Sequence, residues 1–159
     1  MENKSVMKMW QKYQEKFGDV ANGYEAWAFG NSKEMADELA NLVLAGVKTA
    51  TSSLYLWYEL ENEHLPYAGL HNIILNGKGE AVAIIETTSV QITPYCEVTE
   101  EHAYLEGEGD RSLAYWQKVH EDFFKKELRE INRDFSENLL VICERFKLVY
   151  KGEVDHVVN

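Results

Sequence analysis

Two apolar runs, His-Asn-Ile-Ile-Leu over 71–75 and Ala-Val-Ala-Ile-Ile over 81–85, flank the turn Asn76-Gly77-Lys78-Gly79. No other segment constrains the fold as much. Apolar runs rich in β-branched residues, joined by a short Gly- and Asn-rich link, form a β-hairpin. The second run continues through Glu86, Thr87, Thr88, Val90 and Ile92 to Pro94. A further strand pattern covers 138–150, with Leu139, Val141, Phe146 and Val149 among its apolar members. Long strands of this kind suit a small, partly closed barrel with helices packed at its rim.

Helical patterns surround these strands. Val6, Met9, Trp10, Tyr13 and Phe17 recur at helical spacing, and Gly18 ends that helix. Lys4, Lys8, Lys12 and Lys16 form a row beside them, read either as a partner surface or as a solvated face. Residues 24–29 alternate and read as extended. Ser32 caps a second helix that stops at Gly46, with Met35, Leu39, Leu42 and Val43 on its apolar face. The stretch from Val47 to Ser53 reads as a hydroxyl-rich loop, and 54–60 as a short aromatic helix. Thr99 and Ser112 cap two more helices, ending near Leu105 and Arg129. Helices and strands do not alternate strictly, so the class is α+β rather than a doubly wound sheet.

Charge narrows the function. The 159 residues carry 27 Asp and Glu against 16 Lys and Arg, a formal charge of -11. Neither half is a basic arm: 1–80 hold 11 acids and 7 bases, 81–159 hold 16 and 9. Such a surface does not grip duplex phosphates by charge, so no duplex DNA partner is expected. Cys96 and Cys143 are too few for a disulfide scaffold or a zinc site. No apolar run approaches the roughly 20 residues of a membrane span, and no signal peptide is evident. A cytoplasmic protein with no membrane partner is expected.

Three places could carry chemistry. In Gly46-Val-Lys48-Thr-Ala-Thr51-Ser52-Ser53, a lysine stands beside several hydroxyls after a flexible glycine. A desolvated lysine can act as a base, and Thr51 is a hydroxyl it could activate toward a carbonyl carbon. The alternative is a helix C-terminus with Lys48 answering the dipole. Glu86 follows an apolar strand run; it either faces solvent or faces a pocket, where it would be paired or protonated. In Glu106-Gly-Glu-Gly-Asp110, the two glycines permit a tight loop, and Asp110 caps a helix or contacts a ligand. Trp116 and His120 share a helix face four residues apart, and Trp116 stacks on a base or fills a core. No cluster at ligand spacing supports a metal site.

These residues in order resemble the ASCH domain family of the PUA-like superfamily, and its longer bacterial members in particular. The resemblance covers about 24–150. It rests on Gly46-Val-Lys48-Thr-Ala-Thr51, which matches the family's Gly-x-Lys-x-x-Thr motif. It rests also on Trp27-Ala-Phe29-Gly30, Ala36-Asp-Glu-Leu39, Ala103 to Asp110, then Trp116, His120 and Phe123-Phe124. It implies a PUA-like small β-barrel with flanking helices and a cleft beside the motif. The domain would span 23–152, after an N-terminal helical extension over 1–22 and before a tail over 153–159.

One class of small members removes the N4-acetyl group from acetylated cytidine, using the motif lysine, the motif threonine and a strand glutamate. By position these are Lys48, Thr51 and Glu86. The resemblance thus implies an amidohydrolase acting on a small acylated nucleoside, with no cofactor. Trp27, Gly46, Ser52, Ser53, Asp110, Trp116 and His120 would contact the ligand. The alternatives are a module binding RNA or a nucleotide, and a metal-independent ribonuclease. Residues 97–110 hold six acids and no Lys or Arg, which favours a small nucleoside-like ligand over an RNA chain.

Overall fold

The computed structural model describes residues 3–18 and 23–152. In chain order the elements are α1 (Lys4–Phe17), β1 (Glu25–Trp27), α2 (Lys33–Leu44), β2 (Ala50–Leu54) and α3 (Tyr55–Leu60). They continue with β3 (His71–Leu75), β4 (Ala81–Pro94), α4 (Glu100–Glu106), α5 (Leu113–Arg129) and β5 (Leu140–Lys151). The fold is α+β. The expected hairpin is β3 and β4, paired antiparallel from His71↔Glu86 to Leu75↔Ala81.

The caps are the side chains that the sequence offered. Ser32 Oγ accepts from Met35 N, Thr99 Oγ1 from His102 N, and Ser112 Oγ from Tyr115 N. Each satisfies an amide that the first helical turn leaves without a partner.

The five strands run in the order β1-β3-β4-β5-β2. β1 lies parallel to β3; the other pairs are antiparallel. The β4–β5 register shifts between Ile84 and Ile85 and again between Thr87 and Ser89. Such irregularities bend a strand and increase its twist. The sheet therefore curls into a half-barrel, with β1 and β2 as its edges.

One element corrects the sequence reading. The expected loop over 47–53 becomes a strand from Ala50, where β2 pairs with β5 from Ala50↔Arg145 to Leu54↔Val141. Buried Ala50 and Leu54 anchor its ends, and the hydroxyls of Thr51, Ser52 and Ser53 lie half-buried between them. Thr and Ser tolerate extended backbone; a long partner strand decides the matter.

The alternation of β3 and β4 sorts the core. Ile73 and Ile84 pack under Val6, Met9 and Tyr13 of α1. Ile74, Ala83 and Ile85 pack under Leu39, Ala40 and Val43 of α2. Successive residues point to opposite faces, so α1 and α2 cover the two sides of the sheet. The N-terminal helix is thus part of the core. Its expected boundary at 22/23 and the tail over 153–159 touch residues outside those described. A third cluster joins Trp116, Phe124 and Leu128 of α5 to Tyr95, Leu54 and Val141.

Candidate active site

Lys48 leaves the end of α2 and turns inward until 2% of it is exposed. The chain makes this turn because Gly46 adopts φ +76°, a conformation L side chains rarely take. The Lys48 ammonium donates to Ala50 O at 2.9 Å and to Glu108 Oε2 at 3.0 Å. Glu106 O and Glu106 Oε1 each lie 3.4 Å away. The ammonium also sits 5.2 Å from the centre of the Phe29 ring. A buried ammonium needs such company, since desolvating it costs several kcal/mol.

Glu106 and Glu108 reach Lys48 from either side of Gly107. That glycine caps α4 with φ +76°, and a Cβ there would meet Val47 O at 2.6 Å. No other residue fits, so Gly107 brings both carboxylates to Lys48.

Glu106 is the hub of the cluster. Its Oε2 accepts from Ser52 Oγ and from Trp116 Nε1, both at 2.5 Å, and lies 3.0 Å from His102 Nε2. His120 Nε2 stands 3.6 Å from its Oε1. Burial alone would push the Glu106 carboxyl up. The Lys48 ammonium and the imidazoles of His120 and His102 outweigh burial and hold it well below the usual carboxylate range. Burial likewise pulls His102 down. Cys143 and Glu106 beside the ring reverse this and raise it to about 9. The cluster is a charge-balanced, hydrogen-bonded plug.

A small cavity of about 70 Å³ reaches this plug, lined by Lys48, Thr51, Ser52, Glu106 and His120 among others. Beside it opens a cleft of about 850 Å³. Thr51, Ser52, Phe29 and Phe123 line both. Trp27, Phe29, Trp57, Tyr58 and Phe123 give the cleft five aromatic walls.

The other side of Thr51 carries a second polar array. Thr51 stands directly opposite Glu144 across β2 and β5. Opposed residues of antiparallel strands share a face, with Cβ atoms about 5 Å apart. Glu144 also lines the cleft. Behind it runs a hydrogen-bond chain with one direction. Trp27 Nε1 donates to Asn72 Oδ1 at 2.8 Å, Asn72 Nδ2 to Thr87 Oγ1 at 3.4 Å, and Thr87 Oγ1 to Glu144 Oε1 at 2.6 Å. Burial pushes the Glu144 carboxyl up; the Thr87 hydrogen bond opposes this and Glu25 adds to it.

The expected site residues divide sharply. Lys48, Thr51, Ser52, Ser53 and Trp27 gather at the cleft or its inner cavity. Ser53 Oγ lies 3.2 Å from the Tyr58 hydroxyl. His120 lines the inner cavity, its ring stacked on Trp116 at 4.2 Å. Trp116 is core: it is 2% exposed and committed to Glu106. It offers no face to a ligand base. Asp110 is an exposed turn residue whose Oδ1 accepts from Ser112 N at 2.9 Å. It does not line the cleft, and neither does Gly46.

Glu86 also lies apart from Lys48's partners. Its Oε1 stands 3.8 Å from His71 Nε2 and 3.9 Å from Lys147 Nζ. The carboxylates beside Lys48 are Glu106 and Glu108, and the one opposite Thr51 is Glu144. All three left a trace in the sequence. Glu106 and Glu108 flank a glycine, and Glu144 interrupts the apolar run from Leu139 to Phe146. Half of the acidic run over 97–110 is helix α4, and two of its acids, Glu106 and Glu108, point at Lys48.

Among the described residues no group of three or more His, Cys, Asp or Glu could hold a metal ion. None of their helices is long and apolar enough to cross a membrane.

The model of the ASCH domain family matches residues 25–150. The crystal structure of an ASCH domain from Lactobacillus crispatus is similar, with TM-score 0.88 and 34% identity, covering 93% of this chain and 96% of that one. So is a crystal structure from Enterococcus faecalis, with TM-score 0.85 and 39% identity over 92% and 88% of the two chains. No functionally curated protein matches the sequence.

Proposed function

Since the chain belongs to the ASCH domain family, we propose that it is an amidohydrolase removing the acyl group from a small N-acylated nucleoside or related heterocycle in a PUA-like cleft. The observation that carries this reading is the position of Thr51. It lines the aromatic cleft, faces Glu144 across the strands, and shares the inner cavity with Lys48.

Thr51 Oγ attacks the acyl carbon while Glu144 accepts its proton. A carboxyl whose proton affinity burial has raised suits that task. The C–N bond then breaks, and Glu144 passes the proton to the leaving amine nitrogen. Water, deprotonated by the same carboxylate, cleaves the acyl–Thr51 ester and restores the hydroxyl. Lys48 is not the base in this scheme. Its hydrogens are directed at Ala50 O, Glu106 and Glu108, so it works as a fixed cation beside the developing oxyanion. Glu86 has no part in the chemistry.

The experiment is incubation of the purified chain with N4-acetylcytidine and a panel of N-acylated bases, read by mass spectrometry. Deacylation that Thr51→Val abolishes is expected. An intact panel, or turnover unchanged in Thr51→Val, overturns the reading. Salt-sensitive binding or cleavage of RNA with the amides untouched would move the function to the nucleic-acid alternatives.

A further inference from the structure

The cleft wall differs from the rest of the molecule in how it treats charge. Glu25 from β1, Glu63 from the segment after α3, Glu127 from α5 and Glu144 from β5 all line it. No lysine or arginine is among its described lining residues. Its one basic side chain is His64, exposed at the rim and 3.3 Å from Glu25. Four carboxylates from four separate segments converge on one cavity, which an acidic run on a single helix would not do.

Two of these groups are withdrawn from solvent to different depths. Glu144 is 7% exposed and its Oε1 accepts from Thr87 Oγ1, while its Oε2 has no hydrogen bond among the described residues. Glu127 lies half-buried beside Trp57, and burial pushes its carboxyl up to about 7, with Trp57 tempering the shift and Glu130 adding to it. Elsewhere in this protein a buried carboxylate is met by cations, as Lys48 and His102 meet Glu106. Inside the cleft the side chains supply no such partner. Trp57 Nε1 is itself buried there, close to Glu127 but with no acceptor in hydrogen-bond geometry.

We infer that the cleft selects a ligand bearing a positive charge. This rests on the amidohydrolase reading and gives it a substrate class: the N-acyl derivative of a cationic base or amine, rather than of a neutral or phosphorylated one. The five aromatic rings favour the same ligand, since ring faces attract a desolvated cation. Carboxylates around the cavity stabilise that charge and repel a phosphate, and a bound cation draws the Glu127 carboxyl back toward its ionised form. The acyl product and the protonated amine would leave from opposite electrostatic environments, the amine lying on the carboxylate side.

The test is calorimetric titration of the full chain near neutral pH with three matched probes. 3-Methylcytidine is a cation there, cytidine is neutral, and cytidine 5′-monophosphate is an anion. Benzyltrimethylammonium and its uncharged carbon isostere form a second pair without a nucleoside. In each pair the cation is expected to bind about tenfold more tightly, with the phosphate weakest. The preference should shrink in high salt and in the double variant Glu63→Gln/Glu127→Gln. Equal affinity for cation and neutral isostere, tighter binding of the phosphate, or no binding of either cation overturns the inference. The two ideas fail separately. Thr51-dependent deacylation without cation preference removes this inference and leaves the function. Cation preference without deacylation of any amide removes the function and leaves the charge selection.

Discussion

Two buried polar arrays flank Thr51, and they are built on opposite principles. On one side Lys48, His102, Glu106 and Glu108 balance one another, and Glu106 also accepts from Ser52 and Trp116. On the other side Trp27, Asn72 and Thr87 line up behind Glu144 with no cation in the chain. The first array spends its charges on itself and fixes where α4 meets the end of α2. The second leaves a carboxylate oxygen at the cleft. The motif lysine is thus foremost a positioning group, and in the proposed reaction proton transfer falls to the side without a cation.

Removing one member of the balanced side gives the largest expected effect. Lys48→Ala leaves two buried-side carboxylates, Glu106 and Glu108, without their shared ammonium and should cost about 3–5 kcal/mol in urea unfolding. A loss below about 1 kcal/mol would break the contrast between the two arrays.

Glu144→Gln should do the reverse. Turnover of an N-acylated base is expected to fall about 10²–10⁴-fold. Stability at pH 7 should hold or rise, because a carboxyl held above its ordinary value costs folding free energy once it ionises. Intact turnover in this variant would hand the proton transfer to another group.

The pH dependence of stability separates the two arrays as well. His102 is held at about 9, above its ordinary 6.5. The folded protein therefore binds this proton more tightly than the unfolded chain does. The stabilisation is complete below about pH 6.5 and disappears as pH rises through about 9, by at most on the order of 3 kcal/mol. His102→Gln should remove that component of the slope in unfolding curves from pH 6 to 10.

The smallest effect belongs to Glu86→Gln. The side chain is 29% exposed, and its two ionic neighbours stand 3.8 and 3.9 Å away. A stability change within about 0.5 kcal/mol and unchanged turnover are expected. A large loss of turnover here would restore Glu86 to the catalytic set in place of Glu144.

Much of this architecture is legible in the amino-acid sequence. Alternation and a Gly–Asn turn are enough for the β3–β4 hairpin. Ser32, Thr99 and Ser112 announce three helices through the amides that they cap. The motif Gly46–Thr51 locates the inner end of the cleft, because a sharp turn, a cation and hydroxyls stand as neighbours along the chain there. All of these signals are local, and local signals survive in sequence.

Partnership across the fold is different. Lys48 and Glu106 are 58 residues apart, and Thr51 and Glu144 lie on strands joined by no hairpin. Glu86 and Glu144 are both strand glutamates, so sequence could name the residue type but could not choose between them. Register chose. The β2–β5 pairing puts Glu144 opposite Thr51, whereas the β3–β4 and β4–β5 pairings put Glu86 beside His71 and Lys147. Trp116 shows the same limit, since a helix face four residues wide is the same whether it meets a ligand or a core. By itself the sequence determined the elements, their caps and the place of the motif. The tertiary structure decided which acids meet the lysine, which meets the threonine, and which line the cleft, because strand register and sheet curvature bring distant residues together.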